Sequence, residues 1–431
     1  MRTWIILILA VLLFNCNTTS SGEIIDGILE VPENRNNPKS RTLNLVYKVL
    51  KAKDTSTQKA PIVFLQGGPG GKTLILEEFW KNHPLRNDRD IVLMDQRGTG
   101  DSEANCADLG KAMFRLLRKD HDVAGEIKAL EIEQSKCKKA MKKDSVDLAG
   151  YNSRENAADF EDLRKALGYK EWNLFGGSYG SRLGLTIMRD FPNGVRSAVL
   201  SGIFAPQTDF IDDSYKNFEN SLFSVLTRCK ENEACNNRYP NLKERLLKVL
   251  EKLESKPLRI NFENEPLVIN RQDAIMLIFV SLYDRNSIAH IPQLIEAFEN
   301  EDIEPIKNVL KGIQGLYDLV NWSMNNSVLA YEEVPFFDED VIEKSLAESQ
   351  LGFEPASAIL SAKSLSNWHS FRASDVEDQV VVSEIPTLMV SGSLDHVTPV
   401  SNAKKTLKHL KNGYELIFPD AAHNLYNPCF F

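Results

Sequence analysis

Four short, mostly apolar runs in this chain each lead straight into a loop built from glycine and small polar residues. They are Pro61–Leu65 before Gln66–Gly71, Asp90–Met94 before Asp95–Ser102, Trp172–Phe175 before Gly176–Gly180, and Thr387–Val390 before Ser391–Pro399. Runs this short and this apolar read as strands buried on both faces, and loops at their C-terminal ends belong to a parallel α/β sheet rather than a sandwich. Ile24–Val31 and Thr42–Leu50 read as two further strands joined by the polar turn Pro32–Arg41, with Leu43, Leu45, Tyr47 and Val49 alternating along the second. Ala198–Ser201 and Tyr414–Phe418 complete the sheet.

Helical periodicity fills the gaps. Residues 107–145 are charged and helical, and a solvated face explains the basic cluster Lys136, Lys138, Lys139, Lys142 and Lys143. Asn152 caps a helix predicted from Arg154 to Leu167, which Gly168 ends, and Ser181–Phe191 reads as another helix. From 203 to 380 the glycine-terminated runs give way to long amphipathic helices such as Leu242–Leu253 and Ile291–Phe298. The spacing therefore predicts an α/β core in two parts, 23–202 and 381–431, with a mostly helical insertion over 203–380.

The first residues are of another kind. Arg2 precedes an eleven-residue apolar run, Trp4–Phe14, the length of a signal-peptide core and too short to span a bilayer. Residues 1–16 are read as a signal peptide. Cys16 then stands where a bacterial lipoprotein is lipidated, and cleavage nearby to give a soluble exported protein is the alternative. Either way the expected location is outside the cytoplasm: periplasmic, held to a membrane only through an N-terminal lipid, or secreted.

Five cysteines remain. Cys229 and Cys235, six apart, could close a local loop; Cys106 and Cys137 bracket a polar helical stretch; Cys429 is left over. None has C-x-x-C spacing or a histidine cluster beside it, so disulfides are expected in an exported chain and no metal or other cofactor. With 51 Lys+Arg against 60 Asp+Glu the formal charge is −9, which excludes the concentrated basic surface of a nucleic-acid binder.

Gly176-Gly177-Ser178-Tyr179-Gly180 holds G-x-S-x-G between a predicted strand and a predicted helix. The bare pattern is common; the strand–turn–helix setting gives it weight, because a serine on that turn projects its hydroxyl above the sheet. A serine hydroxyl is a weak nucleophile and needs a base and an oxyanion site. Gln66–Gly71 offers backbone N–H groups, and the expected donors are the amides of Gly68 and Tyr179; a phosphate-cradling loop is the poorer reading, since no G-x-x-x-x-G-K-[ST] is present. Acid and base should follow in the order Ser, Asp, His. Asp395 falls in the loop after Thr387–Val390, and His423 in the loop after the last strand. Of the other downstream histidines, His396 directly follows the acid and is expected to point elsewhere, His409 is expected in a solvated helix, and His290 and His369 fall at neither loop. The predicted triad is Ser178, Asp395 and His423. Asp95 and Arg97 are read as structural.

With these residues in place the chain resembles the α/β-hydrolase serine peptidases of the prolyl aminopeptidase and tripeptidyl aminopeptidase group. The likeness rests on Gly-Gly-Pro-Gly-Gly at 67–71, Asp-Gln-Arg-Gly-Thr-Gly at 95–100, Gly-Gly-Ser-Tyr-Gly at 176–180, Ser-Gly-Ser-Leu-Asp at 391–395, and His423. Asn156–Arg164 and the cysteines are more similar to the exported tripeptidyl branch, whose members carry pairs at the positions of Cys106 with Cys137 and of Cys229 with Cys235. Departures are Gln66 where prolyl aminopeptidases have histidine and Ala422 before the base. With eight residues after His423, the closing helix is expected to be short or missing.

The resemblance implies that the insertion caps the nucleophile and leaves room for chain ends, and hence an exported aminopeptidase acting on peptides with a free N-terminus. In prolyl aminopeptidases, acids of the cap read the substrate amine; Asp209, Asp212, Asp213 and several glutamates are available here, none singled out by alignment, and most of these carboxylates are expected on a solvated surface. An esterase or other acyl hydrolase with the same triad is the alternative. A non-catalytic binding protein on this fold is disfavoured because all three triad residue types are present.

Overall fold

The computed structural model describes residues 22–54, 56, 59–103, 105–208, 210–352 and 362–425. The signal-peptide reading, Cys16, Asp209 and Cys429 fall outside these residues.

Among the described residues, ten strands form two sheets. β1 (Ile24–Pro32), β2 (Thr42–Leu50), β3 (Ile62–Leu65), β4 (Ile91–Met94), β5 (Trp172–Ser178), β6 (Val195–Ile203), β9 (Thr387–Gly392) and β10 (Gly413–Phe418) make the eight-stranded sheet; β7 (Leu258–Phe262) and β8 (Glu265–Ile269) make a hairpin. The large sheet runs in the order β1-β2-β4-β3-β5-β6-β9-β10. β2 is antiparallel to both neighbours and every other pairing is parallel. The predicted runs therefore became adjacent parallel strands whose C-terminal ends share one edge.

Alternation along the strands explains why both faces are covered. Trp172 and Leu174 of β5 join a cluster on one face with Val63, Phe160, Leu163, Leu183 and Leu200, under the Ser153–Ala166 and Tyr179–Asp190 helices. Phe175 points the other way, to Phe64 and Trp80, where Trp80 has no exposed surface and its ring lies 5.2 Å from Phe64 and 5.4 Å from Phe175. Each such apolar side chain contributes about 1.5–3 kcal/mol by leaving water, which offsets the ordering of the chain around the site.

Between β6 and β9 lies the insertion, with helices at Phe210–Glu231, Leu242–Ser255, Arg271–Ser281, Ile291–Asn300, Ile303–Leu319 and Trp322–Glu332 around their own apolar cluster. The β7–β8 hairpin within it was not anticipated. Its turn residues Glu263 and Asn264 both have positive φ, +53° and +64°, the geometry that tight hairpins favour, but without the glycine that signals it in a sequence. Residues 107–145 form two helices, Leu109–Leu117 and Val123–Lys143. His409 sits in the turn after the Val400–Leu407 helix, not inside a helix as expected, because the helix ends once Ala403 and Thr406 are buried and the chain turns into β10.

Among the described residues two disulfides are present, Cys106–Cys137 and Cys229–Cys235, with Cα separations of 5.6 and 5.2 Å. They close segments of 31 and 6 residues, so on loop-closure entropy the first should stabilise by about 4 kcal/mol and the second by about 2 kcal/mol. The double variant Cys106→Ser/Cys137→Ser should therefore lose more denaturation free energy than Cys229→Ser/Cys235→Ser. Equal losses in urea melts would show that chain entropy does not govern them.

Candidate active site

Ser178 ends β5 and opens the Tyr179–Asp190 helix, with φ +54° and ψ −127°. A non-glycine residue in that region costs about 1–3 kcal/mol, held here by the strand before it and the helix after it. The turn is closed by its glycines: a Cβ on Gly180 would collide with the Leu65 carbonyl, and one on Gly176 with the Gly180 carbonyl. As the first residue of the helix, Tyr179 has an N–H with no acceptor one turn back.

The loop after β3 faces this turn. Gln66 ties it together: its Nε2 donates to the Lys72 carbonyl at 3.0 Å, and its Oε1 accepts from Gly67 N–H at 3.1 Å. Gln96 Nε2 in turn donates to the Gln66 carbonyl at 2.9 Å. Asp95 buttresses the loop from below, accepting from the N–H groups of Thr73, Leu74 and Asp101. Gly67, Gly68, Gly71 and Ser178 line one cavity of about 250 Å3.

His423 lines the same cavity. Its Nδ1 lies 2.9 and 3.0 Å from the two carboxylate oxygens of Asp395, which has no exposed side-chain surface. Asp395 sits in the loop after β9, as the spacing predicts, and is fixed there by the N–H groups of Val397 and Thr398 at 2.9 and 2.8 Å and the Thr398 hydroxyl at 2.7 Å. Burial alone would raise the Asp395 pKa; the neighbouring His423 and the Thr398 donors outweigh it and hold the group below the usual carboxylate range. Tyr283 packs edge-on against His423 with ring centres 5.4 Å apart, and its carbonyl accepts from Asn424 N–H at 2.8 Å. Thr398 and Tyr283 carried no recognisable signal in the sequence, since one lies among many small polar residues and the other in the insertion.

Loss of the Thr398 hydroxyl has a definite pH signature. A depressed folded-state pKa stabilises the fold above the ordinary carboxylate pKa, and that stabilisation disappears as pH falls through the folded value. Thr398→Val removes one donor to the carboxylate and should cost about 1.5–3 kcal/mol at pH 7 and clearly less at pH 3. Denaturant titrations at the two pH values check this, and an equal loss at both would contradict it.

The other histidines are elsewhere. His396 is buried with its ring 4.5 Å from that of Phe279 and 5.0 Å from that of Tyr283, and burial pushes its pKa down to about 3. His369 meets the Ser327 carbonyl at 2.9 Å, and His290 is exposed against Gln293. Asp212 is buried and accepts from the Asp338 N–H. Neither it nor Asp213 lines the cavity, and among the described residues that do there is no Asp or Glu. Apolar walls dominate instead, including Phe204, Phe210, Leu316, Val320 and Trp322, with Asn325 and Asn424 as polar members. Among the described residues no cluster of three or more His, Cys, Asp or Glu could hold a metal ion, and no helix is long and apolar enough to cross a membrane.

Comparison with known proteins bears on the fold. Residues 60–225 match the family model of the alpha/beta hydrolase fold, and residues 357–430 match that of the TAP-like proteins. The chain is 28% identical over 168 residues to a proline iminopeptidase of Xylella fastidiosa, covering 38% of each protein. It is 30% identical over 169 residues to the proline iminopeptidase of Arabidopsis thaliana, covering 38% of this chain and 32% of that protein. The serine protease Hip1 of Mycobacterium tuberculosis is 25% identical over 291 residues, covering 63% of this chain and 55% of Hip1. These alignments span between about a third and about half of each relative's length. Sheet order, nucleophile turn and the two family matches lead to one conclusion: the chain has the α/β-hydrolase fold and is similar to the TAP-like proteins and the proline iminopeptidases.

Proposed function

We propose that the protein is an exported serine aminopeptidase that releases N-terminal residues or short peptides, with Ser178 as nucleophile, His423 as base and Asp395 as its orienting acid. The observation that carries the reading is the His423–Asp395 pair, 2.9 Å apart, opening onto the cavity that Ser178 enters from a positive-φ turn. Asp395 bonds Nδ1, which leaves His423 Nε2 free to take the Ser178 proton as Oγ attacks the substrate carbonyl carbon. The oxyanion that forms would accept from the N–H groups of Gly68 and Tyr179. The C–N bond breaks as His423 returns the proton to the leaving amine, and water activated by the same histidine then hydrolyses the acyl ester and frees Ser178. Every proton moves between groups of this chain, substrate and water, so no cofactor enters the proposal.

The insertion over 203–380 is the cap in this reading, since its helices supply most of the apolar wall. A cavity of about 250 Å3 suits one or a few small apolar residues rather than a long chain. Two disulfides fit an oxidising compartment and hence export, with Cys16 as the candidate lipid attachment.

A second reading, hydrolysis of esters or other acyl compounds, is favoured by one observation. No carboxylate of the described residues lines the cavity to meet a substrate ammonium. A fluorogenic panel separates the two. Pro-, Ala- and Ala-Ala-Pro-coumarins should be cleaved, their N-acetyl forms should not, and a short-chain ester should be a poor substrate. Ester turnover with silent peptides would overturn the aminopeptidase and leave the acyl hydrolase.

A further inference from the structure

One helix of the insertion, Trp322–Glu332, bonds from its two ends, about 16 Å apart along its eleven residues, to the supports of both expected oxyanion donors. At its start, Asn321 N–H donates to the Gly70 carbonyl at 2.8 Å, and Val320 forms a backbone bridge with Gly71. Asn325, buried, donates from Nδ2 to the Pro69 carbonyl at 3.0 Å. That carbonyl can only accept, which fixes which way the amide is turned. Packing here is backbone against backbone, since a Cβ on Gly70 would run into the Asn321 carbonyl. The loop so held is the one that carries Gly68.

At the other end, Glu332 accepts from Ser153 N–H at 2.5 Å and from the Ser153 hydroxyl at 2.8 Å. The Ser153 oxygen lies 3.0 Å from the Tyr179 hydroxyl, to which Asn156 Nδ2 also donates at 3.1 Å. Arg182, one turn beyond Ser178, pairs with Glu332 at 2.7 Å and with Glu333 at 2.6 Å, all three side chains being almost wholly buried. The residue held is therefore Tyr179, whose N–H is the second expected donor.

We propose that the Trp322–Glu332 helix is a positioning element of the oxyanion site, with Asn325 placing the Gly68 loop and Glu332, through Ser153, placing Tyr179. A lid that only excluded water would need apolar contact and not a polar anchor on each donor's support. The proposal rests on the catalytic reading of Ser178, Gly68 and Tyr179 given above. It makes the insertion part of the machinery that stabilises the transition state.

The test uses the full chain and the variants Asn325→Leu, near the start of the helix, and Ser153→Ala, opposite Glu332 at its end, so that a folding failure in one leaves the other. Active sites are counted by fluorophosphonate titration, kcat and KM are measured on whichever panel substrate the wild type cleaves, and phenylboronic acid, which adds to serine as a tetrahedral anion, reports the oxyanion site directly. Complete loss of one donor costs about 10²–10³ in kcat, so a displaced donor should cost about tenfold per titrated site, with KM within about twofold and boronate affinity falling by the same factor. Unchanged kcat and boronate affinity, with only a lower melting temperature, would overturn the positioning role and leave the Ser178 reading intact. No fluorophosphonate uptake by the wild type would overturn that reading and this proposal together.

Discussion

Ser178→Ala should lower kcat by about 10⁴-fold or more while leaving the fold unchanged. The magnitude follows from how a nucleophile and its base act as a unit: removing either one forfeits nearly all covalent catalysis, and only binding and the oxyanion site remain to accelerate direct attack by water. In the proposed unit, Ser178 and His423 line one cavity and Asp395 bonds the imidazole. Asp395 is wholly buried, held by three donors besides His423, and faces the imidazole nitrogen opposite the one that must serve the serine. The substitution removes one exposed-side oxygen from a turn whose shape is set by Gly176 and Gly180, so the melting temperature should not fall. Steady-state kinetics with thermal melts on the same preparation check both halves of the expectation.

The second large effect is on stability. Arg97 has no exposed side-chain surface and makes a two-pronged ion pair with Asp159, both contacts at 2.7 Å, while its remaining nitrogen donates to the carbonyls of Glu33 and Gly150. Removing one member of a buried pair strands the other charge, at about 3–5 kcal/mol. Arg97→Met should fall at the lower end, since Arg35 also reaches Asp159 at 2.8 Å and keeps part of the compensation. The double variant Arg97→Met/Asp159→Leu should be less destabilised than the single one. At temperatures where the single variant is folded, its kcat should match the wild type, because Arg97 supports the loop after β4 and does not line the cavity. Urea denaturation of the three proteins gives the comparison; a double variant worse than the single would mean that shape, not charge, dominates there.

What could be read in the sequence and what could not divides on the range of the interactions. Strand runs ending in glycine, the serine turn, and an Asp and a His in the loops after β9 and β10 are local patterns, and each fell in the structure where the spacing put it. The polar supports were invisible because their partners are far apart in the chain. Asn325 meets Pro69 across 256 positions, and Glu332 meets Ser153 across 179. In the sequence, Trp322–Glu332 carries polar residues on every side and would pass for a solvated helix; in the structure Ser323, Asn325, Asn326, Ser327 and Glu332 are all buried. Buried polar side chains need partners, and only the fold names them. The cap acids fared differently. Asp212 was available by composition for a substrate amine and is instead engaged with the Asp338 N–H.

The most direct test of the account is where a fluorophosphonate reacts. The wild-type chain, incubated with the probe at neutral pH, digested and mapped by mass spectrometry, should carry one adduct, on Ser178, and the Asp395→Asn variant should label far more slowly because its histidine is no longer held as a base. An adduct on another serine, or labelling of Ser178 that is indifferent to Asp395, would contradict the assignment of Ser178, His423 and Asp395 as a catalytic unit.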